Sequence, residues 1–256
     1  MPILVLLRHG QSLWNKEGRF TGWTDIDLSD KGVGEARDAG RLLKSCGMLF
    51  DVAYTSVLKR AIRTLWIVLD EMDLMWIPII TCWRLNERNY GALQGVSKKE
   101  VEERYGPEQI HKWRRGFTDQ PPAMDLSNGR YSSVLCDPRY RDLEEDQIPK
   151  GESLKDTLVR LLPCWENKIA PDLKEGKKVF VSSHGNTLRA LAKHIEGISD
   201  EDIERFEIPT GIPLAYRLDE DLRPVDRFYL KSREDCKKLR LDESAGKEEQ
   251  GTRGKM

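Results

Sequence analysis

Two stretches of the chain end in a histidine–glycine pair: Ile3-Leu4-Val5-Leu6-Leu7-Arg8-His9-Gly10-Gln11-Ser12, near the N-terminus, and Val179-Phe180-Val181-Ser182-Ser183-His184-Gly185-Asn186. Each apolar run predicts a buried strand, and a helical pattern follows each pair. Open α/β sheets bind their ligands at the carboxyl ends of strands. We therefore expect both histidines at one such edge.

Apolar runs and helical patterns alternate along most of the chain. Ser29, and Ser153 with Asp156, have the spacing of helix N-caps, and Pro163 is expected to bend the second of these helices. The alternation predicts an α/β three-layer sandwich, in which a mostly parallel central sheet has helices on both faces. The predicted strands are residues 3–7, 50–54, 76–82, 179–182 and, last in the chain, 214–218, and the predicted helices are residues 29–45, 57–72, 153–169 and 187–195.

Two segments depart from this alternation. Residues 116–151 contain Pro121-Pro122, Asp137-Pro138 and many charges, and this length predicts an insertion or lid over a site. Residues 232–256 are highly charged and nearly lack apolar groups after Leu241, which predicts a mobile tail. We expect a single catalytic domain over residues 1–231, and truncation after Lys231 is expected to leave folding intact.

Composition narrows the classes of partner. The net charge is −1, so the chain as a whole has no attraction for nucleic acid or anionic membranes. The apolar runs are too short to span a bilayer, and no signal peptide is evident. The five cysteines are odd in number and lack CxxC spacing, which predicts free, buried thiols in a reducing cytoplasm.

The first histidine has the surroundings of a nucleophile. Arg8 offers a planar fork of donors for phosphate oxygens, and Asn15 lies in the same loop. A neutral His9 has one ring nitrogen free to attack, while the other is expected to donate to a backbone carbonyl. Gly10 is expected to let the backbone turn and approach a ligand. The alternative is a strand-end histidine in a polar pocket.

The second histidine precedes a helix, whose N-terminus attracts anions. His184 is expected as a protonated partner that stabilises phosphoryl oxygens, and Asn186 as the helix cap, with or without a ligand. Arg60 opens another helix, where the helix dipole disfavours a cation unless a phosphate is bound. Lys59 and Arg63, beside it, are interpreted as an exposed basic face.

Three further groups complete the candidate site. Glu87 stands among Arg84, Arg88 and Asn89, where a carboxylate can shuttle protons, although a structural Glu–Arg pair is the competing interpretation. The adjacent cations Arg114 and Arg115, with Lys98 upstream, can clamp a substrate carboxylate or phosphate. Taken alone, such an arginine pair is more often a solvated surface patch. No carboxylate or histidine spacing indicates a metal site.

Together these motifs resemble the cofactor-dependent phosphoglycerate mutases of the histidine phosphatase superfamily, over residues 3–230. The segment Leu7–Asn15 resembles the family's phosphohistidine motif, the segment Phe20–Asp25 its phosphate-contacting loop, and the segment Glu87–Gly95 its acid/base segment. Trp113-Arg114-Arg115 is similar to its substrate clamp, and Ser183-His184-Gly185-Asn186 to its second histidine. A phosphoglycerate mutase-like fold is implied.

The resemblance implies a role for each matching residue. His9 would carry the phosphoryl group, Glu87 would move the proton, and His184 would stabilise the transition state. The cofactor would be 2,3-bisphosphoglycerate, which phosphorylates His9, with no metal. Arg8 and Arg60 complete the catalytic set, and the expected substrate contacts are Ser12, Asn15, Thr21, Gly22, Arg88, Asn89, Tyr90, Lys98, Arg114, Arg115, Gly185 and Asn186.

The implied reaction is the interconversion of 3-phosphoglycerate and 2-phosphoglycerate in glycolysis and gluconeogenesis, by an isomerase acting on small phosphorylated three-carbon acids. Bisphosphoglycerate synthase and phosphatase activities are alternatives on the same scaffold. Ser12 favours the mutase over the synthase, and water exclusion by residues 116–151 would favour transfer over hydrolysis. A non-catalytic phosphate-binding module is disfavoured because His9, His184 and Glu87 are all present. A homodimer or homotetramer is implied.

Overall fold

The computed structural model describes residues 1–125, 127 and 129–237. Its strands are β1 Ile3–Arg8, β2 Val52–Thr55, β3 Ile79–Thr81, β4 Val179–Ser183, β5 Leu214–Leu218 and β6 Pro224–Tyr229. They form one sheet in the order β3-β2-β4-β1-β5-β6. Strands β1 to β4 pair in parallel, whereas β5 is antiparallel to both β1 and β6.

Helices cover both faces of this sheet, as the alternation predicted. They are α1 Leu13–Lys16, α2 Asp30–Ser45, α3 Lys59–Met72, α4 Lys98–Tyr105, α5 Pro107–Arg115, α6 Gly129–Leu135, α7 Leu154–Cys164, α8 Ala170–Lys174 and α9 Gly185–Glu196. A π-helical segment, Trp165–Ile169, joins α7 to α8. It begins two residues after Pro163, which has no N–H for the α-helical ladder, so the helix accommodates the proline by changing its register.

Strand β1 shows how the two halves of the core form. Leu4 and Leu6 belong to the cluster that α7 and α9 complete on one face, whereas Val5 and Leu7 belong to the cluster that α2 and α3 complete on the other. Because successive side chains of a strand point to opposite faces, an unbroken apolar strand requires cover on both sides. The three-layer α/β sandwich is confirmed.

Sequence patterns placed the helix caps more accurately than the strand ends. Ser29 caps α2, and Ser153 with Asp156 forms a capping box on α7. Strand β3 is only three residues long because it lies at the edge of the sheet, and Trp76, predicted to lie in it, is 77% exposed. Strand β6 was missed, and residues 214–218 are not the last strand. The side chains of β6 alternate between half-buried and exposed along an edge of the sheet, so no continuous apolar run in the sequence marks this strand.

The cysteine prediction was wrong for three residues. Cys46, which follows α2, and Cys236 form a disulfide across a sequence separation of 190 residues. Cys136 is a free thiol but is exposed, whereas Cys82 and Cys164 are free and buried as expected. Spacing along the chain could not reveal the disulfide, because the C-terminal segment returns to the end of α2 only in the folded protein. The predicted tail beyond residue 237 lies outside the described residues.

The insertion at residues 116–151 packs beside the segment that carries Glu87. The Ala92 N–H donates to the Pro122 carbonyl and the Glu152 N–H to the Asn89 carbonyl, both at 2.8 Å. Met124, Tyr131 and Tyr140 of the insertion pack on Trp23 in a small apolar cluster. In the part of the chain that the structure describes, no helix is long and apolar enough to cross a membrane.

Candidate active site

The register of β1 on β4 brings the two histidines together. Arg8 is paired with Ser183, so His9 and His184 leave adjacent parallel strands at the same level. The His9 N–H donates to the Ser183 carbonyl at 2.9 Å. The two imidazole rings meet edge to face, with their centroids 5.0 Å apart. The prediction that both histidines lie at one sheet edge is confirmed.

Hydrogen bonds assign a tautomer to His9. Its Nδ1 lies 2.7 Å from the Gly10 carbonyl oxygen, to which it donates, and its Nε2 accepts from the Arg60 Nε at 3.3 Å. Burial, and the positive charges of Arg60 and Arg8, hold the pKa of His9 well below its usual range. The ring is therefore neutral near pH 7, and the Nε2 lone pair, which here accepts the long contact from Arg60, can attack a ligand only when it leaves that contact.

Gly10 is needed for packing rather than for approach to a ligand. A side chain at this position would collide with the backbone of Gly32, in the first turn of α2. The close approach of the histidine loop to this helix therefore requires a glycine on each side.

Arg60 stands at the start of α3, as predicted, and is almost fully buried. Its Nη1 donates to the Thr24 carbonyl at 3.0 Å and its Nη2 to the Gly22 carbonyl at 2.8 Å. Burial lowers the pKa of Arg60 to about 10, so the guanidinium remains charged at neutral pH. Lys59 and Arg63, its neighbours, are exposed as expected.

His184 is fully buried, and its Nε2 lies 2.8 Å from the Ser56 Oγ. Its Nδ1 has no hydrogen-bond partner among the described residues. Burial and the nearby charge of Arg60 lower the pKa of His184 well below its usual range. These surroundings favour a neutral imidazole in the protein alone, whereas a protonated one was expected. A bound anion would be needed to favour the protonated form.

Glu87 is held by backbone N–H groups rather than by a structural arginine. Its Oε1 accepts from the Arg88 N–H at 2.8 Å and from the Asn186 N–H at 3.2 Å. Asn186 lies in the first turn of α9, so the carboxylate of Glu87 caps this helix. The prediction that Asn186 itself is the cap was wrong, because its side chain instead contacts Tyr90 and Arg189.

Most of the predicted site residues line one cavity, whose volume is about 190 Å³. It contains seven cationic side chains and two acidic ones. The predicted residues that line it are Arg8, His9, Asn15, Thr21, Gly22, Arg60, Glu87, Tyr90, Lys98, Arg114, Arg115, Gly185 and Asn186. Arg19, Phe20, Arg189, Glu207, Ile208 and Pro209 complete the lining.

Four predicted site residues lie behind this lining. His184 is next to His9, as described above. Ser12 caps α1: its hydroxyl accepts from the Asn15 N–H at 3.1 Å, and its N–H donates to the Asn15 Oδ1 at 3.1 Å, so that it holds Asn15, which lines the cavity. Arg88 donates to the Tyr90 hydroxyl and to the Arg114 carbonyl, while the Asn89 side chain donates to the Pro149 carbonyl. These contacts support the lining residues.

The described residues of the insertion lie outside the lining of the cavity. They contact the segment Glu87–Gly95 and pack on Trp23. These residues support the acid/base segment, and closure of the insertion over the site stays a prediction.

Three cations that the sequence motifs predicted as a substrate clamp also line the cavity and form a second set: Lys98, Arg114 and Arg115. None of them hydrogen-bonds to His9. Burial, and the charge of Arg114, lower the pKa of Lys98. Crowded positive charge of this kind is relieved when an anion binds.

Sequence reasoning missed Arg189, a nearly fully buried side chain of α9. It donates to the carbonyls of Arg115, Phe206 and Ile203 and to the Asn186 Oδ1. Burial lowers the pKa of Arg189 to about 9. An arginine between the apolar residues Leu188 and Ala190-Leu191-Ala192 of α9 was the available signal, since such a charge is buried only where many acceptors surround it.

A second missed arginine, Arg160 of α7, supports the acid/base segment. It forms a buried ion pair with Glu152, with Nε and Oε1 2.6 Å apart. It also donates to the carbonyls of Arg84, Asn86 and Glu87. Among the described residues, no group of three or more acidic, histidine or cysteine side chains could hold a metal ion.

The fold and this cationic cavity around two histidines define an enzyme of phosphoryl transfer. A sequence profile of the Histidine phosphatase superfamily (branch 1) matches residues 4–134 and 130–227. The chain belongs to this superfamily.

Solved structures with the same fold include several phosphatases. A mycobacterial glucosyl-3-phosphoglycerate phosphatase is 20% identical, with a TM-score of 0.67, and the match covers 90% of this chain and 97% of the other. The alpha-ribazole phosphatase of Shigella flexneri is 21% identical, with a TM-score of 0.61 and coverage of 90% and 96%. The Bacillus stearothermophilus protein YhfR is 24% identical, with a TM-score of 0.62 and coverage of 85% and 91%. At these identities the likeness establishes the fold.

Proposed function

We propose that this enzyme interconverts 3-phosphoglycerate and 2-phosphoglycerate through a phosphohistidine at His9. The observation that carries the proposal is the second cationic set, Lys98, Arg114 and Arg115, in the same cavity as His9. Arg8 and Arg60 suffice for one phosphoryl group. A phosphoglycerate has a second anionic group, its carboxylate, which the second set is suited to bind.

The cavity suits the implied cofactor, 2,3-bisphosphoglycerate, which supplies the phosphoryl group to His9 when bound. Arg8 Nε and Thr21 Oγ1 are buried in the lining without a partner among the described residues, and both can donate to phosphate oxygens.

The residues of the chain supply each part of the transfer. His9 Nε2 attacks phosphorus, and the bond from phosphorus to the ester oxygen breaks. Arg8 and Arg60 balance the charge on the oxygens of the transferring phosphoryl group. That charge favours protonation of His184, and the protonated ring then adds to the same stabilisation. Glu87 gives a proton to the departing oxygen and takes one from the hydroxyl that attacks phosphohistidine in the return step.

Initial rates of conversion of 3-phosphoglycerate to 2-phosphoglycerate, with and without 2,3-bisphosphoglycerate, test this proposal. We expect strong stimulation by the bisphosphate and acid-labile phosphate on the protein. The variant H9A should lose the label and at least about 1,000-fold in rate, whereas H111Q, at an exposed histidine, should retain both. Full labelling of H9A would contradict the mechanism.

Phosphatase activity is the second candidate. The described residues of the insertion do not line the cavity, so they give no support to the exclusion of water that would favour transfer over hydrolysis. The phosphatases that share the fold point in the same direction. Release of inorganic phosphate from 3-phosphoglycerate, faster than the formation of 2-phosphoglycerate, would favour this candidate over the mutase.

A further inference from the structure

Glu207 brings a negative charge to the cationic cavity. Among the described residues that line the cavity, Glu87 and Glu207 are the acidic ones. The Glu207 Oε1 lies 3.1 Å from the Arg115 Nη2. Its carboxylate thus satisfies a donor of Arg115, the residue to which the proposed function gives the second anionic group of the substrate.

The backbone around Glu207 is anchored. The Phe206 carbonyl accepts from Arg189 at 3.0 Å, the Glu207 carbonyl from the Tyr229 hydroxyl at 2.5 Å, and the Ile208 carbonyl from Arg8 at 3.1 Å. Three consecutive carbonyls therefore hold this segment at the cavity. The Glu207 side chain itself is 70% exposed, so it can turn toward water while its backbone stays in place.

The other cations of the second set have no comparable partner. In the residues that the structure describes, neither Lys98 nor Arg114 forms an ion pair, whereas Arg115 pairs with Glu207. The cations of the second set therefore differ: Lys98 and Arg114 have no acidic partner among the described residues, whereas Arg115 is paired with Glu207. A ligand that binds the Arg115 Nη2 competes with the carboxylate of Glu207 for this donor, and a ligand bound only beside His9 does not.

We propose that Glu207 is a specificity-determining residue, whose carboxylate competes with the second anionic group of the substrate for Arg115. It weakens the binding of ligands with two anionic groups and leaves the binding of a lone phosphate unchanged. This inference rests on the proposed function for the placement of the second anion, but binding alone tests it, without turnover.

The variant E207Q removes the charge and keeps the shape, and E204Q is its matched control. The carboxylate of Glu204 lies 3.4 Å from His111 rather than beside Arg115. Binding of 3-phosphoglycerate and of inorganic phosphate to the full chain is measured by isothermal titration calorimetry at low salt. E207Q should bind 3-phosphoglycerate about three- to fivefold more tightly, as expected for an exposed ion pair. The affinity of E207Q for inorganic phosphate should differ from that of the wild type by less than about 1.5-fold. E204Q should bind both ligands as the wild type does. Added salt should reduce the gain in affinity of E207Q for 3-phosphoglycerate.

Three results would overturn the inference. E207Q and the wild type bind 3-phosphoglycerate equally, or E207Q tightens both ligands alike, or E204Q gives the same gain as E207Q. A wild type that binds phosphate but not 3-phosphoglycerate would overturn it as well. A failure of the proposed function would look different: the enzyme would form no 2-phosphoglycerate, while E207Q would still bind 3-phosphoglycerate more tightly than the wild type.

Discussion

The Arg60 Nε–H points at the Nε2 of His9, with 3.3 Å between the two nitrogens. Together with the donation from Nδ1 to the Gly10 carbonyl, this contact leaves the reactive lone pair directed at a cation. Burial first, and then the charge of the guanidinium, keep the pKa of His9 low, because a second positive charge at this distance is unfavourable. Arg60 thus orients the ring that we propose as the nucleophile and helps to keep it unprotonated.

The stability of the protein should fall as the pH falls below about 6.5, the usual pKa of histidine in an unfolded chain. His9 and His184 both have pKa values held well below this in the fold, by burial first and then by Arg60. Below pH 6.5 the unfolded chain therefore binds protons that the folded chain does not, and the free energy of unfolding declines. Each histidine contributes up to about 1.4 kcal/mol per pH unit.

Urea unfolding between pH 7.5 and 5.5 measures this slope. The double variant H9Q/H184Q should show a shallower pH dependence than the wild type, whatever its stability at pH 7.5. The variant H111Q, at an exposed histidine, is the control and should keep the wild-type slope. Equal slopes in all three proteins would show that the two buried histidines do not resist protonation.

Loss of Arg160 should lower both stability and turnover. The variant R160M leaves Glu152 as a buried, unpaired carboxylate, which costs about 3–5 kcal/mol. It also releases the carbonyls of Asn86 and Glu87, so kcat should fall more than KM rises. The double variant R160M/E152L removes both charges and should regain most of the stability but not the activity. Recovery of both would mean that Arg160 does not position Glu87.

The chain should form a homodimer whose interface covers the exposed side chains Trp66, Met75 and Trp76. These side chains are exposed, and they lie in α3 and in the connection to the edge strand β3. Exposed apolar groups beside an open strand edge indicate an association surface. Sedimentation velocity should show the W76E variant at half the wild-type mass. L49E, at another exposed apolar residue, should remain dimeric, and a monomeric wild type would exclude the interface.

Reduction should destabilise the protein through the bond between Cys46 and Cys236. A disulfide that closes so long a loop contributes about 2–4 kcal/mol. Urea unfolding with and without dithiothreitol should show a loss of this size in the wild type and none in C236S. C136S should behave as the wild type, because Cys136 is a free thiol. Truncation after Lys231 removes Cys236, and should therefore match C236S under oxidising conditions rather than leave stability unchanged.

Much of the sheet and of the site could be predicted from local patterns. The apolar runs before His9 and His184 mark the central strands, because strands covered on both faces must be apolar throughout. Residues clustered in short motifs, such as Arg8, His9 and Asn15, reach one cavity because their motifs end strands at the same edge. Edge strand β6, half exposed and interrupted by charges, offered no such pattern.

The sequence by itself determined the α/β architecture and the main constituents of the cavity, since both follow from periodicity and from residues close together in the chain. Only the tertiary structure decided which groups make hydrogen bonds, ion pairs and a disulfide across long separations in the chain. Glu87 caps α9, Glu207 neutralises Arg115, and Cys46 joins Cys236. His184 is neutral because it is buried beside Arg60, and no local sequence pattern predicts this contact. Charge and protonation depend on distances through space, and the fold sets those distances.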